Sequence, residues 1–419
     1  MYNISKFYNF PEKLIEDIEN VEQSLSERFL ELEKIYQYNQ AKVLKAMQNN
    51  NLNSSDFFWT TGYGYGDVGR EKVESIYSEI FCTEDALVRP SIASGTHAIF
   101  LTLNSLLGHG DELAIISDEP YDTMQKAIGI KGNEPNNLIS KGIKVSILPL
   151  KNNKIDIENL KSIVTKETKV AMIQRSMGYS DRPAFRIDEI KKAVAEIKAI
   201  SKDIIVFCDN CYGEFTDIYE PTEVGVDIMA GSLIKNPGGG LAVSGGYIVG
   251  IKELIELVAN NLTAPGIGKE VGLTFGTSRL TLQGLFLAPM IVKEACKGAL
   301  LFQNVYTKKG FNVTPNFNDN YNDIVVAIKF NDPEKLKLFT ITIQKSSAVD
   351  SNAIPTAWDM PGYDNKVIMA SGSFISGSSI ELSADAPIRA PYIAYFQGGL
   401  TYMQSKIALM NTLVALNLY

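Results

Sequence analysis

Residues 226–250 read "VDIMAGSLIKNPGGGLAVSGGYIVG". An apolar run closes on one lysine, Lys235, three glycines follow at 238, 239 and 240, and apolar residues then resume. The pattern predicts strands over 226–235 and 245–250 with a permissive turn between them. The lysine is either a snorkelling side chain ahead of a turn or an amine held out of water for covalent chemistry. In the second case the glycines let the backbone turn beside a bound group without crowding it. The apolar strand would then desolvate the amine and lower its pKa.

Working outward, apolar strands alternate with amphipathic helices. Upstream, a strand and turn are expected at 86–93, strands at 111–117, 144–150, 169–176 and 204–209, and helices at 71–81, 96–107, 157–164 and 186–200. This alternation predicts an α/β fold built on a large, mostly parallel sheet with helices on both faces. Residues 11–50 form one or two amphipathic helices. After a helical stretch over 282–309 the texture changes. Strands are expected at 323–330, 366–374 and 378–384, and helices at 334–347 and 392–416, giving a smaller α+β domain. The division expected is a helical arm over 1–55, the large domain over 56–300 and the small C-terminal domain over 301–419.

The chain has 419 residues, 45% apolar and 21% charged, which suits a soluble globular protein with a large core. Its net charge of −8 argues against nucleic acid or an anionic membrane as partner. No apolar run reaches membrane-spanning length, and the start lacks a secretory layout, so a cytoplasmic location is expected. Four cysteines in this length do not make a disulfide framework. Cys208 and Cys211 form a C-x-x-C without a second pair, so the cysteines are expected to be buried packing residues and no metal site is expected.

In open α/β sheets ligands sit outside the carboxyl ends of the strands, and four segments place polar groups there. In "ASGTHAI" (93–99), Ser94, Gly95 and Thr96 end a strand and open a helix whose free N–H groups suit an anion such as a phosphate. An N-cap serine with a glycine turn is the alternative. In "VFCDNCYGEF" (206–215), Asp209 follows a strand directly and needs a partner if buried. Lys235 comes 26 residues after Asp209 (235 − 209), and Ser232 offers a hydroxyl three residues before it. In "SDEPYDTM" (117–124), Tyr121 offers an aromatic face on a loop. An anion-binding helix start, an aspartate and a lysine, in that order, match the demands of pyridoxal phosphate. These are N–H groups for the phosphate, a carboxylate for the ring nitrogen and an amine for the aldehyde. A nucleotide P-loop is excluded because the glycines follow the lysine.

With these residues in hand, the chain resembles fold-type I pyridoxal-phosphate enzymes. Within them it resembles the methionine gamma-lyase-like group of aluminium-resistance proteins, relatives of the cystathionine lyases. "TGYGYGDVGR", "SGTHAI", "PYDT", "IQRS", "DNCYGEF", "GSLIKNPGGG", "QGLFLAP", "ELSADAP" and "QGGLTY" carry the resemblance across essentially the whole chain. It implies that Gly95 and Thr96 bind the phosphate beside Ser94 and the Ser232 hydroxyl. It further implies that Tyr121 stacks on the ring, Asp209 holds the ring nitrogen, and Lys235 forms the Schiff base. A Tyr-x-Arg segment of the cystathionine lyases reaches the neighbouring subunit's phosphate. Here Tyr63 fits the tyrosine, Tyr65 stands where arginine is expected, and Arg70 is a candidate substitute. A homodimer or homotetramer with shared active sites follows.

One departure bears on the substrate. The arginine that binds the substrate carboxylate in those lyases falls at Glu381 here, and a carboxylate cannot make arginine's bidentate pair. Arg389 and Arg279 are the candidates to replace it. The activity implied is a carbon–sulfur lyase on a sulfur-containing amino acid. Lys235 takes the α-proton, Asp209 keeps the ring protonated, and β- or γ-elimination releases a thiol, a 2-oxo acid and ammonia, with a proton from Tyr121. The alternatives are an aminotransferase or other amino-acid enzyme, and a pyridoxal-phosphate-binding stress or metal-resistance protein without turnover.

Overall fold

The computed structural model describes residues 6–316, 319 and 321–419. Contacts divide the chain into two compact units, one spanning Gln37–Pro289 and the other gathering the described residues up to Tyr36 with those from Met290 onward. The stretch expected as an arm over 1–55 is thus split between the units, and the second unit resumes at 290 rather than 301. One helix, Ser278–Lys308, runs through both 289 and 300 with Pro289 inside it, so the chain does not turn at either position.

Two helices open the chain, α1 (Glu12–Ser24) and α2 (Ser26–Asn49). The large unit continues with α3 (Val68–Ile80), β1 (Asp85–Arg89), α4 (Gly95–Leu106), β2 (Glu112–Ile115), α5 (Asp122–Ile128), β3 (Lys144–Ile147) and β4 (Thr168–Gln174). It is completed by α6 (Ile187–Ile200), β5 (Ile205–Asp209), β6 (Ile228–Ser232), β7 (Gly246–Gly250) and α7 (Lys252–Leu262). Seven strands form one sheet in the order β1-β7-β6-β5-β4-β2-β3. Only β7 runs against its neighbours, so the sheet is mostly parallel as expected. Alternate residues Leu113, Val170, Met172, Phe207, Ile228 and Ile248 build one core, against which α4 packs Ala98, Ile99 and Leu103. On α6 the buried residues Ile187, Ile190, Val194 and Ile197 recur at helical spacing.

Two expectations in this unit fail locally. Residues 157–164 hold only a single 3₁₀ turn, Leu160–Ser162. Asp156 accepts from both the backbone and side-chain nitrogens of Asn159, a local alternative that a stretch too short to nucleate a helix does not overcome. The strand expected over 226–235 stops at Ser232, and Lys235 lies beyond it, ahead of a 3₁₀ turn at Asn236–Gly238.

Helix α8 (Ser278–Lys308) carries the chain onward. Then come β8 (Asn312–Thr314), β9 (Val325–Lys329), α9 (Pro333–Lys345), β10 (Val367–Ser371), β11 (Ser383–Pro387), β12 (Ile393–Gln397) and α10 (Tyr402–Ala415). The five strands form an antiparallel sheet ordered β10-β11-β12-β9-β8, with Phe302 stacked on Phe396 at 3.7 Å between ring centres. The strand expected over 378–384 begins only at Ser383. The helix expected over 392–416 is instead β12 followed by α10. Gly398 and Gly399 both take positive φ, and a Cβ at Gly398 would strike the Glu381 carbonyl oxygen at 2.3 Å, so the chain turns there.

Candidate active site

In the parallel register Gln174 stands opposite Asp209, and Asp209 opposite Ala230, so β4, β5 and β6 end side by side. Along β5, side chains alternate, and Asp209 shares its face with Phe207, the face on which α4 packs. Asp209 is buried, and its Oδ1 accepts from the Cys211 N–H at 3.1 Å. Burial pushes the carboxyl up, while Lys235 and the Cys211 hydrogen bonds hold it back.

Lys235 reaches the same space from the loop after β6. Its amine lies 3.9 Å from the centre of the Tyr212 ring and makes no ion pair with Asp209. The pKa shift is opposite to the one expected from a desolvating strand. Burial does pull the ammonium down, but Cys211, Tyr212, Asp209 and Tyr121 face it together and hold it well above its ordinary value.

Tyr121 is fixed at both ends. Its backbone N–H donates to Gln174 Oε1 at 2.9 Å, and its hydroxyl shares a 2.9 Å hydrogen bond with Thr96 Oγ1. Burial, aided by Asp209 and Cys211, keeps this phenol well above its usual value and therefore protonated at neutral pH.

Helix α4 begins against these groups. Ser94 caps it, its Oγ accepting from the His97 N–H at 3.0 Å. The N–H groups of Gly95 and Thr96 find no acceptor among the described residues, and the Ser232 hydroxyl makes no hydrogen bond with any of them. A Cβ at Gly95 would stand 3.2 Å from both Ser232 Cβ and Cys211 Sγ, so glycine lets the helix start this close to β6. Two unspent N–H donors and a hydroxyl fit an anionic group, and an amine, a phenol and a carboxylate share the adjoining space. That donor set suits a phosphorylated aromatic aldehyde with a basic ring nitrogen.

The remaining candidates sit on other elements. Tyr63 and Tyr65 are 70% and 79% exposed, on the loop before α3. Arg70 is buried, and its guanidinium donates to the carbonyls of Gly62 (2.6 Å), Gly64 (3.1 Å) and Glu270 (2.7 Å). It shapes the tyrosine loop and is not available as an outward phosphate ligand. Arg279 is exposed near the start of α8, stacked over Phe57 at 4.8 Å. Arg389 lies in the turn between β11 and β12 of the second unit. Glu381 accepts from the Phe374 and Ile375 N–H groups, both at 2.9 Å, which gives it a structural task in place of substrate recognition.

The thiols are free. Cys208, Cys211 and Cys296 are buried as expected, whereas Cys82 is exposed at the end of α3. Among the described residues no cluster of three His, Cys, Asp or Glu side chains has metal-binding geometry, and no helix is long and apolar enough to cross a membrane. Sequence reasoning missed Tyr212 and Asn236. Both lie inside quoted stretches, but neither is an obvious acid, base or nucleophile.

The profile of the methionine gamma-lyase family matches residues 14–417. The uncharacterized protein YnbB of Bacillus subtilis is 44% identical over 388 residues, 92% of each chain. The crystal structure of a carbon-sulfur lyase involved in aluminium resistance from Clostridium novyi is 44% identical with a TM-score of 0.93, covering 98% of this chain and 97% of that one. The metY protein of Campylobacter jejuni, whose structure carries N'-pyridoxyl-lysine-5'-monophosphate, is 17% identical with a TM-score of 0.54, covering 82% and 86%. That likeness concerns the fold alone, which is the α/β fold of fold-type I pyridoxal-phosphate enzymes.

Proposed function

The chain belongs to the methionine gamma-lyase family, and from that premise we propose that it is a pyridoxal-phosphate-dependent carbon–sulfur lyase acting on a sulfur-containing amino acid. The observation that carries the proposal is the grouping of Asp209, Lys235 and Tyr121 beside the unspent N–H groups of Gly95 and Thr96. When bound, pyridoxal phosphate supplies an aldehyde that captures amines and a ring that accepts the electron pair left by proton removal.

The protein's residues do the rest. Gly95 and Thr96 N–H groups and the Ser232 hydroxyl hold the phosphate, and Tyr121 covers the ring. Asp209 keeps the ring nitrogen protonated. Lys235 would hold the aldehyde covalently and, once its amine is free, would take the α-proton as a base. Tyr121, protonated at neutral pH, hands a proton to the departing sulfur. Tyr63 and Tyr65, exposed on a loop that Arg70 braces, complete the site of a second copy of the chain.

The test is a scan of sulfur amino acids with purified protein, following 2-oxo acid, ammonia and thiol. Release of all three without an added 2-oxo acid is expected, and Lys235→Ala should abolish it together with the visible absorption of the bound cofactor. Turnover that requires a 2-oxo acid co-substrate would overturn the lyase reading in favour of transamination.

A further inference from the structure

Among the described residues, the amine of Lys235 makes neither a hydrogen bond nor an ion pair, and it rests on the face of Tyr212. The contact is built from both sides. Tyr212 adopts φ +70°, in the left-handed region that bulky L residues rarely enter and that clusters at functional sites. Asn236, buried and next in sequence to the lysine, donates through Nδ2 to the carbonyls of Tyr212 and Glu214, both at 3.0 Å. The lysine loop and the tyrosine loop are thereby tied together. On the far side of the tyrosine, Arg175 Nη1 donates to the Gly213 carbonyl at 2.9 Å, and a Cβ on Gly213 would lie 2.6 Å from Asn210 Oδ1. The backbone that carries the ring is thereby fixed at Tyr212, Gly213 and Glu214.

We propose that Tyr212 is a positioning residue for Lys235, its ring face receiving the ε-ammonium whenever the amine is not covalently engaged and keeping it beside Asp209. This rests on the reading of Lys235 as the covalent residue. An aromatic face attracts a cation more strongly as water is withdrawn, and here both groups are partly buried. It leaves the amine without a hydrogen bond to break before it re-engages. The other ionisable groups facing the lysine are Cys211 and Asp209 at the end of β5, Tyr121 at the start of α5, and Glu214 beyond Tyr212. These are unchanged by substitution at 212, and comparing phenylalanine with leucine there separates the ring from the phenol, which also faces the amine.

The experiment follows acetylation of Lys235 by acetic anhydride against pH, in full-length protein freed of cofactor, with peptide mass spectrometry as the readout. Tyr212→Phe keeps the ring and removes only the phenol's own charge, so its midpoint should move by clearly less than that of Tyr212→Leu. Tyr212→Leu should move its midpoint down by about one pH unit, with a roughly tenfold faster reaction below the midpoint. A folded Tyr212→Leu protein with the wild-type profile would overturn the proposal. Should that variant fail to fold, phenylalanines of increasing ring fluorination at 212 decide the matter. They keep the shape and weaken the face stepwise, and the midpoint should fall in step. A flat response would overturn the proposal. Labelling needs no turnover, so its outcome is separable from the cofactor absorption and product release that test the lyase reading.

Discussion

Gly95 and Ser232 meet closely enough to crowd a methyl group, since a Cβ on Gly95 would stand 3.2 Å from Ser232 Cβ. The same atom would lie 3.2 Å from Cys211 Sγ, so helix α4 is wedged between β6 and the segment that follows Asp209. A side chain there pushes the helix start away from the Ser232 hydroxyl. Gly95→Ala is therefore expected to weaken cofactor binding, measured by absorbance titration, at least tenfold. Overpacking of this kind costs roughly 1–3 kcal/mol of stability, readable in urea unfolding. Unchanged affinity would show that the N–H groups of Gly95 and Thr96 do not hold the phosphate.

Glu381 bears on what takes the place of the expected arginine. Its carboxylate holds two backbone N–H groups, at Phe374 and Ile375, and it is buried. Glu381→Ala leaves both donors unpaired, at a cost of about 2–4 kcal/mol. Glu381→Arg should destabilise by at least as much and should not increase affinity for an amino-acid carboxylate. Stability curves for both variants, with substrate KM for the arginine variant, check this. A stable arginine variant with lower KM would show that this position can bind the substrate carboxylate.

The fold was legible because its signals are periodic. Alternating strands and helices placed Asp209 at a strand end, Lys235 in the loop just after one and Gly95 at a helix start, and topology then brought them together. What failed was set by single residues. The apolar stretch at 393–397 reads as helix until Gly398 and Gly399 are recognised as a break between β12 and α10. Tyr212 gave no signal because a left-handed tyrosine looks like any other in sequence. Arg70 looked like a phosphate ligand because its sequence neighbours suggest one, whereas its partners are carbonyls, one of them 200 residues away. The lysine's pKa was misjudged for a related reason. A strand's desolvation is visible in the sequence, but the cluster of Cys211, Tyr212 and Asp209 around the amine exists only in three dimensions.

Glu214 gives a pH dependence that can be measured without substrate. It is fully buried, its Oε1 accepts from the Tyr247 hydroxyl at 2.7 Å, and its Oε2 has no partner. Burial pushes the carboxyl from 4.5 up to about 8, with Tyr247 and Lys235 pulling back and Glu220 adding to the rise. The folded protein therefore keeps a proton that the unfolded chain has released across pH 4.5 to 8. Stability from this group is full below that window and is lost as pH rises through it, by at most about 1.4 kcal/mol per pH unit. Glu214→Gln keeps an acceptor for Tyr247 and cannot ionise. Its stability relative to wild type should grow as pH rises from 5 to 8 and then level off, in chemical unfolding at each pH. A constant difference across that range would mean that Glu214 is ionised throughout, and the unpaired Oε2 would then have to be met by a donor other than its own proton.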